Sequence, residues 1–402
     1  MTASGKRLKD RICVVGLGWT AFGEHFDRSY ADLLADASRD AMQDAGVEQA
    51  RIDAAWLGTA FPDAGVFQGR SGMDLAEALG MFDIPITRVS NYCATGAEAV
   101  RGAVNALLAG ECSVALAAGV EKLRDRAPQD SLVKMMVEGG HPYYQKGFTA
   151  AGTFAMYANR YCTTYGVTRE QLAAVSVKNH AHACLNPKAH YRREVTTEQV
   201  LRSPMVADPL TVMDSCPTTD GAAAVVLVRA EDAAKFSGVP VYLKGLGLAV
   251  SSGWDLPFFD ESHELLSFRA TRVAARTAYA EAGVRDPRKQ IDLAEVHDCF
   301  SIVELLTCED LGFCGTGEAA ALVSSGATRR DGDIPVNVSG GLLSCGHPVG
   351  ATGLRMVCEI AEHLRGTAGD RQIPGARLGL THNIGGPGAV AAVMIFGGEP
   401  DR

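Results

Sequence analysis

Two kinds of segment alternate along the chain. Short apolar runs of strand length recur, among them ITRV (86–89), DGAAAVVLV from Asp220 and GPGAVAAVMIF from Gly386. Between such runs lie longer stretches whose apolar residues repeat every three or four positions. Ala97, Val100, Val104, Leu107 and Leu108 share one helical face, and Leu354, Val357, Ala361 and Leu364 share another. Some of these helices are small or apolar on most faces, which predicts burial between two sheets. Apolar strands alternating with helices predict layered α/β lobes with largely parallel sheets.

The pattern occurs twice. AMQDAGVEQARIDAAWLGTA (41–60) and AYAEAGVRDPRKQIDLAEVHDCF (278–300) each read as a helix, an Ala-Gly-Val stop, a polar connection, Ile-Asp and a short strand. The glycine is placed as a helix C-cap. A second pair is CATGAEAVRGAVNALLAGECSVALAAG from Cys93 and CGHPVGATGLRMVCEIAEHLRG from Cys345, the latter followed by ARLGLTHNIGG. Two similar αβ halves are therefore expected, residues 1–120 plus 206–240 and residues 245–402. The stretch 121–205 interrupts the first half. It is polar and rich in Lys, Arg, His and Tyr, and REQLAAVSVKNHAHA within it reads as a helix, so a mostly helical cap over the site is expected.

Composition narrows the function. A chain of 402 residues that is 47% hydrophobic can bury a large core. A net charge of -9 argues against broad nucleic-acid binding. Eleven cysteines, odd in number and without a CxxC pair, point to free thiols in a reducing, cytoplasmic compartment. The opening MTASGKRLKDR has no apolar signal core, and no apolar run reaches membrane-spanning length, so no membrane insertion is expected.

Several candidates for chemistry then compete. VVGLGWTA matches a dinucleotide fingerprint on paper, but FGEHFDRSY follows without helical periodicity, so a strand and a loop are expected there. NHAHAC offers His180, His182 and Cys184. On a helix, residues two apart face different ways, so a polar helix is expected and a metal site is not. Cys93 lies between a strand end and the first turn of a small-residue helix, where backbone N–H groups and the helix dipole favour a thiolate nucleophile. His347 sits in GGLLSCGHPVGATG, whose glycines let backbone approach a ligand, at the equivalent place in the second half. If the two loops converge, a neutral imidazole there takes the Cys93 proton. In EVHDCFS, His297 and Cys299 either face one cavity or form a polar strand end beside a core cysteine. THNIGGPGA offers backbone donors at Gly385 and Gly386, or is only a turn.

NYCATG, HDCF, CGHPVGATG and HNIGGPGA, in this order, resemble the thiolase superfamily, especially the sterol-carrier-protein-type thiolases and their archaeal and bacterial single-domain relatives labelled acetyl-CoA acetyltransferases. The similarity runs over nearly the whole chain. It implies the thiolase fold, two αβ halves in α-β-α-β-α layers, and reversible Claisen cleavage and condensation of 3-ketoacyl-CoA. Carried over by position, it makes Cys93 the acyl carrier and His347 its activator. His297, where other thiolases carry an asparagine, would form one oxyanion hole. The N–H groups of Cys93 and the Gly385–Gly386 turn would form the other. The usual C-terminal CxG cysteine is absent, since the chain reads His382-Asn383-Ile384 there, so the resemblance gives its acid/base role to Cys299.

No metal and no bound cofactor are implied, with coenzyme A as substrate. Lys178, Lys188, Arg192 and Arg193 either meet its phosphates or form a solvated face. The resemblance implies a homodimer or homotetramer, and leaves room for a small zinc-ribbon/OB-fold partner protein. Its rivals are a ketosynthase-like condensing enzyme, a retro-aldolase on a CoA thioester, and a silent assembly subunit.

Overall fold

The computed structural model describes residues 8–62, 69, 71–127, 149–251 and 264–401; parts of both expected halves and residues 128–148 of the expected insert lie outside that range. The first elements are β1 (Ile12–Trp19), α1 (Tyr30–Ala45), β2 (Ala54–Gly58), α2 (Met73–Leu79), β3 (Ile86–Val89), α3 (Thr95–Ala109) and β4 (Val114–Glu121). Next come α4 (Ala150–Tyr165), α5 (Arg169–Ala183), α6 (Thr197–Arg202), β5 (Met205–Ala207), β6 (Leu210–Thr211), β7 (Gly221–Arg229) and β8 (Val241–Val250). The last are α7 (Arg269–Ala282), α8 (Pro287–Gln290), β9 (Leu293–Glu295), α9 (Ser301–Asp310), α10 (Ala319–Ser324), α11 (Val349–Arg365), β10 (Leu378–Gly385) and β11 (Val390–Gly397).

Local chemistry sets many of these boundaries. Ser29 and Asp32 form a capping box at the start of α1, and Thr168 and Gln171 form another at α5. The two Ala-Gly-Val stops are C-caps: Gly46 ends α1 at φ 64° and Gly283 ends α7 at φ 79°, both left-handed. The glycines of VVGLGWTA serve packing. A Cβ on Gly16 or Gly18 would lie 2.1 Å from a carbonyl oxygen of α1, so their absence lets that helix lie directly on β1. No helix opens in the turn after β1.

Nine of these strands form one sheet in the order β3-β2-β4-β7-β1-β8-β11-β10-β9, and β5 pairs with β6 in a separate two-stranded sheet. Two register pairs, Cys13↔Tyr242 and Val14↔Val241, join β1 to β8. The expectation of a largely parallel sheet is corrected. β2 runs parallel to β3 and β4, and β9 to β10, but β1–β7, β4–β7, β1–β8, β8–β11 and β10–β11 are antiparallel. Strands such as β4, β7 and β11 are buried on both faces by helices, and that burial produces the continuous apolar runs usually read as parallel strands.

Helices supply the layers. α1 packs on β1, β7 and β4; α7 packs on β8 and β11; α3 and α11 pack on each other, α3 against β2 and β4, α11 against β7, β4 and β10. α3 and α11 are thus the central layer. Helix α5 is polar but not solvated: Lys178, Asn179, His180 and His182 are all buried, and the helix packs on α9, α10 and the π-type turn Gly341–Cys345. Among the described residues, no helix is long and apolar enough to cross a membrane.

Candidate active site

The strand β3 reaches Cys93 through a strained elbow. Tyr92 adopts φ 49°, a left-handed conformation that a bulky residue rarely takes. Thr95 fastens the turn, its Oγ1 accepting from Asn91 N at 2.8 Å and donating to the Tyr92 carbonyl at 2.5 Å. Gly385 lies against the same turn, where a Cβ would sit 2.7 Å from the Asn91 carbonyl oxygen. The side chain of Cys93 is partly exposed and packs beside Ala60, Phe61, Leu123 and Val349.

His347 arrives from the other half because the N-terminal ends of α3 and α11 cross in contact. A Cβ on Gly96 would lie 2.9 Å from the Gly350 carbonyl oxygen, and one on Gly119 only 2.2 Å from it. Glu121 locks the crossing: its carboxylate accepts from Thr59 Oγ1, from the N–H groups of Ala60 and Phe61, and from Gly350 N at 2.8 Å. His347 Nδ1 lies 2.7 Å from Thr352 Oγ1, which in turn donates to the Pro348 carbonyl at 2.9 Å. His347 Nε2 is buried and has no protein partner.

His297, just beyond β9, completes the group. Its Nδ1 lies 3.0 Å from Asn383 Nδ2 on β10, and its ring meets that of His347 edge-on at 5.1 Å between centroids. Cys93 Sγ and one ring nitrogen of each histidine lie within 4.8 Å of one another. Among the described residues this is the one set of His, Cys, Asp and Glu side chains close enough to hold a metal ion.

Burial governs the protonation of all three. It pushes the Cys93 thiol up to about 12, against hydrogen bonds from the Gly386 and Cys93 backbone N–H groups, with the charge of Glu121 adding to the rise. Desolvation thus opposes the backbone N–H groups at this elbow. Burial, with Arg355 adding to it, holds His347 down to about 3. His297 is held well below its ordinary value by burial and by the neighbouring His347. The resting set is a thiol and two neutral imidazoles, the state in which an imidazole can act as a base.

Cys299 stands outside that triad. It is buried, and its thiol is raised well above its ordinary value by burial and then by Cys216 and Cys93, which places it in the electrostatic neighbourhood of both. Cys216, which sequence reasoning passed over inside DSCPTTDG, donates its N–H to the Cys299 carbonyl at 2.9 Å. Asp298 was likewise missed within HDCF. It accepts from Asn179 Nδ2 at 2.7 Å and from the N–H groups of Leu342 and Leu343, fixing the turn that leads to His347. Gly341 must be glycine there, at φ 59°, because a Cβ would lie 2.2 Å from Asp298 Oδ2. Thr352 and Asn383 carried no motif signal of their own; only the folded positions show what they touch.

The expected phosphate-binding side chains separate. Lys178 is buried, bonded to Asn179 Oδ1, the Val336 carbonyl and Glu304 at 3.1 Å, and so cannot meet a phosphate. A lone buried ammonium needs such partners, which the sequence pattern of a polar helix does not reveal. Lys188 donates to the Trp19 carbonyl at 2.7 Å and lies over the Trp19 ring. Arg192 and Arg193 are exposed.

Comparison with known proteins matches the chain to a family. Residues 12–231 match the model described as "Thiolase, N-terminal domain", and residues 255–398 the one described as "Thiolase C-terminal domain-like". The acetyl-CoA acetyltransferase of Methanothermobacter thermautotrophicus is 43% identical over 96% of this chain and 99% of its own length. Human sterol carrier protein 2 is 36% identical over 97% of this chain and 73% of its own length. Among solved structures, the Ltp2-ChsH2(DUF35) aldolase superposes with a TM-score of 0.82 at 27% identity, covering 97% of this chain and 98% of that one. Human mitochondrial 3-ketoacyl-CoA thiolase in complex with CoA superposes at 0.74 with 18% identity, over 98% and 99%, a likeness of fold. A cysteine at a strained elbow thus meets two imidazoles in a chain that belongs to the thiolase superfamily of acyltransferases, on its sterol-carrier-protein side.

Proposed function

We propose that the chain is an acyl-CoA C-acyltransferase that cleaves and forms 3-ketoacyl-CoA through an acyl group carried on Cys93. The observation that carries this reading is the meeting of Cys93 Sγ with ring nitrogens of His297 and His347 within 4.8 Å. In cleavage, the Cys93 proton moves to His347 Nε2 and Sγ attacks the C3 carbonyl carbon. The oxyanion is held by the Cys93 and Gly386 N–H groups, both of which hydrogen-bond at this sulfur. The C2–C3 bond breaks, and its electron pair moves to C2 and the thioester oxygen as an enolate. His297 and the protonated His347 stabilise that oxygen, and the Cys299 thiol protonates C2. Coenzyme A then gives its proton to the Cys299 thiolate and attacks the acyl group; Cys93 leaves and recovers its proton from His347. Condensation is the reverse. The balance needs no cofactor beyond coenzyme A as substrate.

The structural neighbour solved as an Ltp2-ChsH2(DUF35) aldolase, a complex with a second protein, supports a second reading at the level of partners: this chain binds a small partner protein, of the zinc-ribbon/OB-fold kind that the resemblance allows. The chain assembles as a homodimer or homotetramer and works in the cytoplasm. Arg192 and Arg193, both exposed, are the cations that remain available to the phosphates of coenzyme A.

The test is cleavage of a 3-ketoacyl-CoA series in the presence of coenzyme A. Activity that falls by about 10⁴-fold or more in Cys93→Ala is expected. Cleavage of 3-hydroxyacyl-CoA that survives in Cys93→Ala would replace this reading with the retro-aldol one.

A further inference from the structure

The two histidines of the site are held by partners of opposite kind. A primary amide nitrogen only donates. Asn383 Nδ2 sits 3.0 Å from His297 Nδ1, so that ring nitrogen accepts, and a neutral ring must carry its proton on Nε2. Asn383 Oδ1 lies beside Gly353, where a Cβ would sit 2.6 Å from it, and accepts no hydrogen bond among the described residues. At His347 the direction reverses. Thr352 has a single hydroxyl proton, and it goes to the Pro348 carbonyl at 2.9 Å, an atom that can only accept. Thr352 Oγ1 therefore accepts from His347 Nδ1–H at 2.7 Å, and His347 Nε2 is left bare. That bare nitrogen is the buried, unpartnered one.

We propose that Asn383 and Thr352 act as positioning residues that lock the facing imidazoles into opposite tautomers, His297 as the Nε2–H donor and His347 as the Nε2 base. The catalytic meaning of this rests on the reading above. One site then holds a ready acceptor for the Cys93 proton and a ready donor for the enolate oxygen, side by side, before substrate arrives. Neutral rings are what allow a tautomer to be fixed at all, and burial keeps both neutral. His297 in the other tautomer would turn a lone pair toward the developing oxyanion.

The direct test is a long-range proton–nitrogen correlation spectrum of the enzyme carrying ¹⁵N-histidine, with the two rings assigned through His297→Asn and His347→Gln. His297 protonated at Nε2 and His347 at Nδ1 is the expected result. Both rings in one tautomer, or the two reversed, overturns the proposal. This readout needs no turnover, so a failure of Cys93 to acylate would sink the functional reading and leave the tautomers to be judged on the spectrum. A second arm uses Asn383→Asp, whose carboxylate accepts from Nδ1–H and forces His297 into the other tautomer. Deuterium exchange at the α-carbon of acetyl-CoA is expected to fall about 10²–10³-fold more than acylation of Cys93 does. Equal losses in the two half-reactions would assign Asn383 a merely structural part.

Discussion

Burial acts on Cys93 and His347 in opposite directions. Burial pushes the thiol up to about 12 and the imidazole down to about 3, which favours the neutral form of each. The orientation of His347 then matters more than any charge, and Thr352 alone receives its Nδ1–H. Thr352→Val leaves that buried donor unpaired at a cost of roughly 1–3 kcal/mol, about 10- to 100-fold in rate. Rapid-quench measurement of Cys93 acylation should show that loss with coenzyme A affinity little changed; an unaltered acylation rate would mean that packing alone orients the ring. Cys93 and His347 were singled out in the sequence because each stands in a run of small residues or glycines, and in the structure those glycines serve the close crossing of α3 and α11 and the turn before it. Thr352 and Asn383 were not. Their meaning depends on which atom each faces across a helix turn or a strand pair, and such a distance leaves no periodicity in the chain. Lys178 misled for the same reason: a cation on a polar helix looks solvated until its partner Glu304, far along the chain, is seen beside it.

Helix α11 is the element through which the site is tied to the core. Its Arg355 is fully buried and bonded to Glu295 of β9 and to Ser339 Oγ, while Ser339 also donates to Glu295 from Oγ and N. This set joins the helix that follows His347 to the strand that leads into His297. Arg355→Met strands a buried carboxylate and should cost about 3–5 kcal/mol of stability. Chemical denaturation of the variant, beside Arg355→Met combined with Glu295→Gln, checks this: the double variant should recover part of the loss, and equal losses would place the cost in packing rather than charge. Helix positions and stops were readable from spacing and from the glycines at 46 and 283. Strand direction was not, because β7 and β11, buried on both faces, give the same apolar run whichever way they pair.

At the scale of the whole molecule, the repeat seen in the sequence explains the placement of the chemistry. Each repeat contributes one helix preceded by a candidate side chain, Cys93 before α3 and His347 before α11, and the first turns of the two helices cross where glycine permits contact. Glu121 at the end of β4 bonds to Gly350 N in the first turn of α11 and so ties the surroundings of the two crossing helices together. The central claim is that Cys93 carries the acyl group between the two half-reactions. Intact-mass spectrometry after brief incubation with acetyl-CoA tests it most directly. The account predicts one added acetyl group on the native chain and none on Cys93→Ala. No adduct from acetyl-CoA or longer acyl-CoAs on the native chain, or an adduct that persists in Cys93→Ala, would contradict it.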